Sequence, residues 1–190
     1  MKMWEVHVVF QSKGGIGKSL VATFLTQYLR EKWAFPSQVL AVDADGLNNS
    51  FSNTLQSGAA VVGADMATLT DAIRAHQGDV VIDTGPSSYL AMGEWLTSPE
   101  TVTTLLKEGW TIKVHSIVVG GWAQAETLQG LLHAIQVLPP QIRLIVWLND
   151  YFGPVISPTG ADFETMKIFT ENRHRIWGLI RLRMRGRELL

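Results

Sequence analysis

An α/β architecture, a mostly parallel twisted sheet with helices on both faces in three layers, follows from three features of this chain. Short runs of apolar, largely β-branched residues alternate with segments of helical period. Each run is apolar throughout rather than at every second position, so the strands are buried on both faces, as parallel pairing requires. The first run passes into a glycine-rich turn, while later ones end on Asp43, Asp83 and Asn149.

Taken in order, residues 6–10 (Val-His-Val-Val-Phe) form the first strand, and the turn after them opens a helix in which Phe24, Leu25, Tyr28 and Leu29 share a face. Pro36 closes that helix. Residues 39–42 are a second buried strand. Residues 48–64, rich in Ser, Asn and Gly, predict a loop with little regular structure. Residues 69–76 read as a short helix, and 80–83 as the third strand, with a turn at Gly85 and Pro86.

Residues 89–96 and 101–108 are helical, and 112–119 are a fourth strand. Leu128, Leu131, Leu132, Ile135 and Leu138 form a stripe that Pro139 and Pro140 stop, and 142–148 are the fifth strand. A loop over 153–160 follows, and Asp162 is placed to cap a helix over 163–171.

The arginine-rich end invites a membrane-binding helix, but on a helical wheel Arg183 and Arg187 fall among Ile176, Ile180 and Met184 and break the apolar face. With period two, Arg181, Arg183, Arg185 and Arg187 alternate with Leu182, Met184 and Gly186. Residues 176–182 are therefore expected to be a sheet strand. The chain divides into one domain over 1–182 and a basic end over 183–190, able to meet DNA phosphate or an acidic partner.

At 190 residues the chain is long enough to bury a core without staples. With no cysteine, disulfides, thiolate metal sites and a cysteine nucleophile are excluded. The five histidines show no ligand spacing and read as core or surface residues. No apolar run approaches the ~18 residues that span a bilayer, and the first apolar segment ends in the glycine turn rather than a cleavage site, so a cytoplasmic protein without stable membrane insertion is expected.

The stretch Lys13-Gly14-Gly15-Ile16-Gly17-Lys18-Ser19 sits where a buried strand becomes a helix. Glycines let backbone N–H groups turn toward one point, the helix N-terminus adds partial positive charge, and a lysine supplies a full one. That is an anion site. Against the pattern G-x-x-x-x-G-K-[ST], Ser12 replaces the first glycine, while Gly17, Lys18 and Ser19 fit. Ligands of an open α/β sheet bind beyond the carboxyl ends of its strands, which is where Asp43, Asp45, Asp83 and Asn149 also fall. Ser19 is suited to coordinate Mg²⁺ through its hydroxyl, with Asp83 holding the ion's waters.

This loop resembles the deviant Walker A motif of the ParA/MinD-type P-loop ATPases. Residues 42–45 (Val-Asp-Ala-Asp), 80–87 (Val-Val-Ile-Asp-Thr-Gly-Pro-Ser) and 146–153 (Val-Trp-Leu-Asn-Asp-Tyr-Phe-Gly) resemble the same family, and the last, with Val118-Val-Gly-Gly121, resembles conjugal-transfer TraL proteins. The resemblance implies a P-loop NTPase fold that binds ATP and Mg²⁺ through Lys13, Gly14, Gly15, Ile16, Gly17, Lys18, Ser19 and Leu20. It gives Lys13 a second role, reaching the nucleotide of a partner subunit in a nucleotide-dependent homodimer. Asp45 would orient the attacking water, Asp43 would lie near the metal, and Asn149 would read the adenine edge.

The segment after Asp45, Gly-Leu-Asn-Asn-Ser, departs from the family's Asp-Pro-Gln and so implies slow, partner-stimulated hydrolysis. Expected is an ATP-dependent switch in plasmid conjugative transfer or plasmid positioning, with a plasmid-encoded protein or DNA as partner. A nucleotide-binding scaffold without significant hydrolysis, and a small-molecule kinase or ligase of the same fold, are the alternatives.

Overall fold

The computed structural model describes residues 4–33, 38–45, 51, 55, 60–61 and 65–183. In chain order the principal elements are β1 (Glu5–Val9), α1 (Lys18–Lys32), β2 (Val39–Asp43), β3 (Ala60–Val61), α2 (Met66–Ala75), β4 (Asp79–Asp83), α3 (Tyr89–Thr97) and α4 (Pro99–Lys107). They continue with β5 (Thr111–Val119), α5 (Gln124–Val137), β6 (Arg143–Asn149), the helical turn α6 (Lys167–Thr170) and β7 (Ile176–Leu182).

The strands form one sheet in the order β3-β2-β4-β1-β5-β6-β7. Every pairing in it is parallel. Two apolar layers cover it. On one face Val6, Val8, Ile82, Val114 and Val118 pack with Leu69 and Ile73 of α2, Met92 of α3, Leu105 of α4 and Leu131 of α5. On the other, Val9, Val81, Ile117 and Trp147 meet Val21, Leu25 and Leu29 of α1, together with Phe51 and Leu55. Helices on both faces of a parallel sheet make the three-layer α/β fold that the uniformly apolar strands require.

Local chemistry sets several boundaries. Asp65 caps α2 by accepting from the amides of Ala67 and Thr68, and Ser98 caps α4 by accepting from Thr101 with Pro99 in the first turn. The strand expected over 176–182 is β7, which pairs with β6 through Val146↔Leu179 and Trp147↔Ile180.

Within the stretch expected to be a loop with little regular structure, Ala60–Val61 is a short strand, paired through Val42↔Ala60 and Asp43↔Val61 with β2. Two residues give no periodic signal, so only the neighbouring strand reveals them. The helix expected over 163–171 is instead a 3-10 turn (Phe163–Thr165), an extended Met166, and then α6. Asp162 makes no side-chain cap; its backbone is held in an antiparallel bridge to Ile156, and Phe163 after it is fully buried against Phe169, so tertiary pairing rather than a local cap sets the start of this segment. Pro36 and residues 184–190 lie outside the described residues.

Candidate functional site

β1 ends between β4 and β5, and the chain leaves it through a stapled segment. The Phe10 amide extends the ladder to the His115 carbonyl at 2.9 Å. The buried Gln11 amide then donates to the carbonyls of Ile117 (3.3 Å) and Thr127 (3.1 Å), and its oxygen accepts from the Ser12 amide at 3.0 Å. Gly130 makes this approach possible: a Cβ there would lie 1.9 Å from the Gln11 oxygen. The loop therefore leaves the sheet in a fixed direction.

Past Gly15 and Gly17, both at positive φ (72° and 96°), α1 begins at Lys18. Lys18 and Ser19 thus stand in its first turn, where the partial positive charge of the helix is greatest. The Lys18 ammonium donates to the Lys13 carbonyl at 2.7 Å, lying across the loop. Burial pushes its pKa below the usual value, with the carboxylates of Asp83 and Asp45 opposing.

Asp43 and Asp83 close adjacent parallel strands at the same level. The Ser19 hydroxyl donates to Asp83 Oδ2 at 2.6 Å, while Asp83 Oδ1 is buried without a hydrogen-bond partner. Burial, reinforced by Asp43 and Asp45, raises the Asp83 pKa to about 6 against the pull of Ser19 and Lys18. An orphaned carboxylate oxygen, a hydroxyl beside it and surplus negative charge make a donor set that fits Mg²⁺, which keeps several of its own waters. Among the described residues no group of three or more His, Cys, Asp or Glu is arranged to hold a metal directly. The fit is thus to a largely hydrated ion.

Asp45 is buried. Its amide donates to Asp43 Oδ1 at 3.0 Å, and its own Oδ1 accepts from the Ser87 hydroxyl at 2.5 Å. It rests on the turn after β4, where a Cβ on Gly85 would lie 1.9 Å from Asp45 Oδ2. A cavity of about 330 Å³ is lined by Gly14, Lys18, Ser19, Asp43, Asp45 and Asp83 among others, so the structure brings those expected residues together.

A second cavity of about 570 Å³ shares Gly15, Gly17 and Leu20 with the first and is walled by Phe24, Asn149, Tyr151, Phe152 and Arg181. Asn149 Nδ2 donates to the Ile16 carbonyl at 3.0 Å, and Oδ1 accepts from the Tyr151 amide at 3.2 Å. One N–H and one lone pair of the amide remain, enough for an edge contact with a base. The Ile16 side chain is fully buried, so only its backbone can serve a ligand. The first cavity is lined by the charged side chains at the glycine loop and the second by aromatic ones, and the two meet across Gly15, Gly17 and Leu20.

Lys13 is not among the residues lining either cavity. Its ammonium lies 2.5 Å from Glu126 Oε2 and 4.6 Å from the centroid of the Trp122 ring. Sequence reasoning passed over Gln11, Gly85 and Ser87 as functional residues, although the last two stand in the stretch 80–87 that carried the resemblance. Phe152 and Arg181 were also missed, because the wall they make forms only when β6 and β7 pair.

No protein-family model matches the chain. Two Escherichia coli proteins named "Protein TraL" are each 32% identical to it over 189 residues, covering 95% of this chain and 77% of the relative. Among solved structures, a plasmid partition protein from Borrelia burgdorferi aligns over 96% of this chain and 91% of its own at 13% identity, with a TM-score of 0.45. No helix among the described residues is long and apolar enough to cross a membrane.

Proposed function

Because the chain belongs to the TraL family, we propose that it is a cytoplasmic ATP-binding, slowly hydrolysing switch in plasmid conjugative transfer or plasmid positioning. One observation carries the ATP part of this reading: Lys18, Ser19 and the half-satisfied Asp83 meet at the carboxyl edge of the sheet, in the first turn of the helix that follows the glycine loop. In this reading the loop amides from Gly14 to Ser19 and the Lys18 ammonium bind the phosphates, and Asn149 and the aromatic wall bind adenine.

Ser19 and Asp83 hold Mg²⁺, with Asp43 behind them. The bound ion supplies charge neutralisation for the outer phosphates. Asp45, fixed by Ser87 and Gly85, orients water for attack. Lys13 extends to the nucleotide of a partner subunit, so ATP drives homodimerisation, and the dimer engages a plasmid-encoded protein or DNA.

A scaffold with little hydrolysis is the second reading, favoured by the engagement of Asp45 with Ser87. Binding of fluorescent ATP and phosphate release, measured with Mg²⁺ and with chelator, test the proposal. Mg²⁺-dependent binding with slow release is expected, binding without release selects the scaffold, and a folded chain that binds no ATP overturns both.

A further inference from the structure

The geometry around Lys13 points to a latch: we infer that Glu126 and Trp122 hold this lysine on its own protomer, and that releasing it is a step of nucleotide-dependent dimerisation. The inference rests on the switch reading above. The Lys13 ammonium has an anion at 2.5 Å and an aromatic face at 4.6 Å, so its charge is engaged twice on one side.

This arrangement is built rather than incidental. The Gln11 amide pins the loop to the Thr127 carbonyl in the first half of α5, which places Lys13 directly over the first turn of that helix. Glu126 stands in that turn, where the helix N-terminus favours a carboxylate. Trp122 is set just ahead of it by the 3-10 turn Gly121–Ala123 and is braced edge-on by Phe152 at 6.0 Å.

The lysine and Glu126 are 28% and 57% exposed, so the pair is a weak, solvent-screened one. A polyphosphate, carrying several charges, outcompetes a single carboxylate for the ammonium. The latch thus sets a threshold: Lys13 stays docked until a nucleotide is presented to it. Glu126 and Trp122 are positioning residues, acting on Lys13 rather than on the nucleotide.

Sedimentation of the full chain with Mg²⁺ and a non-hydrolysable ATP analogue tests this, using wild type, Glu126→Gln and Glu126→Asp. Each exposed pair is worth about a two- to fivefold shift, and two latches open per dimer, so Glu126→Gln lowers the dimer Kd by about 4- to 25-fold. Glu126→Asp, keeping the charge, falls between. The difference between wild type and Glu126→Gln shrinks in high salt, which a change in packing alone would not do. A wild-type chain that dimerises with the analogue while Glu126→Gln leaves its Kd unchanged or raises it overturns the latch alone. One that binds ATP without dimerising removes the switch and the latch together.

Discussion

The Nδ1 of His7 and the Nε2 of His115 lie 2.9 Å apart inside the sheet, and the direction of every hydrogen bond around them is fixed. The Trp147 indole, which can only donate, reaches His115 Nδ1 at 2.9 Å. His115 must therefore carry its proton on Nε2 and donate to His7, which in turn donates from Nε2 to Glu5 Oε2 at 3.2 Å. Lys113 completes the line with a 2.7 Å contact to Glu5 Oε1. Three strands are thus tied by one directional chain that needs both imidazoles neutral.

Acid should break that chain. Burial first, then the neighbouring His7 and Lys113, hold the His115 pKa well below its ordinary 6.5, so the unfolded state binds the extra proton as pH falls. Its contribution is present above 6.5 and is lost below it. Glu5, lowered to about 2 chiefly by its bond from His7, adds a second loss between 4.5 and 2. Urea unfolding of an Asp83→Asn variant from pH 8 to 5, which removes the opposing carboxylate, should show stability falling with pH; a flat profile would contradict the assignment.

Asp83 has the opposite sign. Its folded pKa, about 6 against 3.8, means that the native state takes up a proton more readily, so its ionisation lowers stability as pH rises through that interval. Asp83→Asn should raise metal-free stability at pH 7.5 by about 1–3 kcal/mol and abolish any further gain from Mg²⁺. Thermal melts with and without the ion check both halves.

Lys18→Ala should leave the fold intact and reduce ATP affinity by at least about tenfold, the lysine giving one charge-assisted contact to phosphate. Circular dichroism with fluorescent-ATP titration is the check. Unchanged ATP affinity in the folded variant would count against the phosphate site.

Gly85→Ala would put a methyl 1.9 Å from the Asp45 carboxylate and so displace it from Ser87. Turnover is expected to fall by about tenfold or more while ATP affinity moves less than about threefold, since a group that only orients water contributes in the transition state. Equal losses in both would show that the turn carries the phosphate site as well.

Asn149→Ala strips the Ile16 carbonyl of its partner and empties one wall of the aromatic cavity. A buried acceptor left unpaired costs about 1–3 kcal/mol. Reduced discrimination between ATP and GTP, read by competition titration, is expected beside that loss of stability.

The loop, the strand ends and the parallel sheet were legible because each has a local signature: glycines before a lysine, apolar runs without alternation, a polar residue where a run stops. What was not legible depends on register. Nothing in the sequence aligns His7 with His115, which are 108 residues apart, and reading the histidines as ordinary core or surface residues neither placed these two in the core nor found their bond. Likewise Gln11 looks like any loop glutamine until Gly130 admits it, and Arg181 joins a cavity only because β7 pairs beside β6. The break at Met166 follows from the bridge between Asp162 and Ile156, a pairing no periodicity records.

The central place of β1 has a consequence for how this molecule comes into being. Val6 pairs with Val80 on one side and Ile112 on the other, so β1 waits for partners synthesised far later. Closing such long loops slows folding and leaves an apolar segment without its neighbours in the meantime. A nascent chain stopped before residue 111 has the full glycine loop but lacks β5, to which Gln11 is anchored. The final geometry of the glycine loop should therefore appear abruptly and late during translation, and until then β1 is an apolar segment open to aggregation.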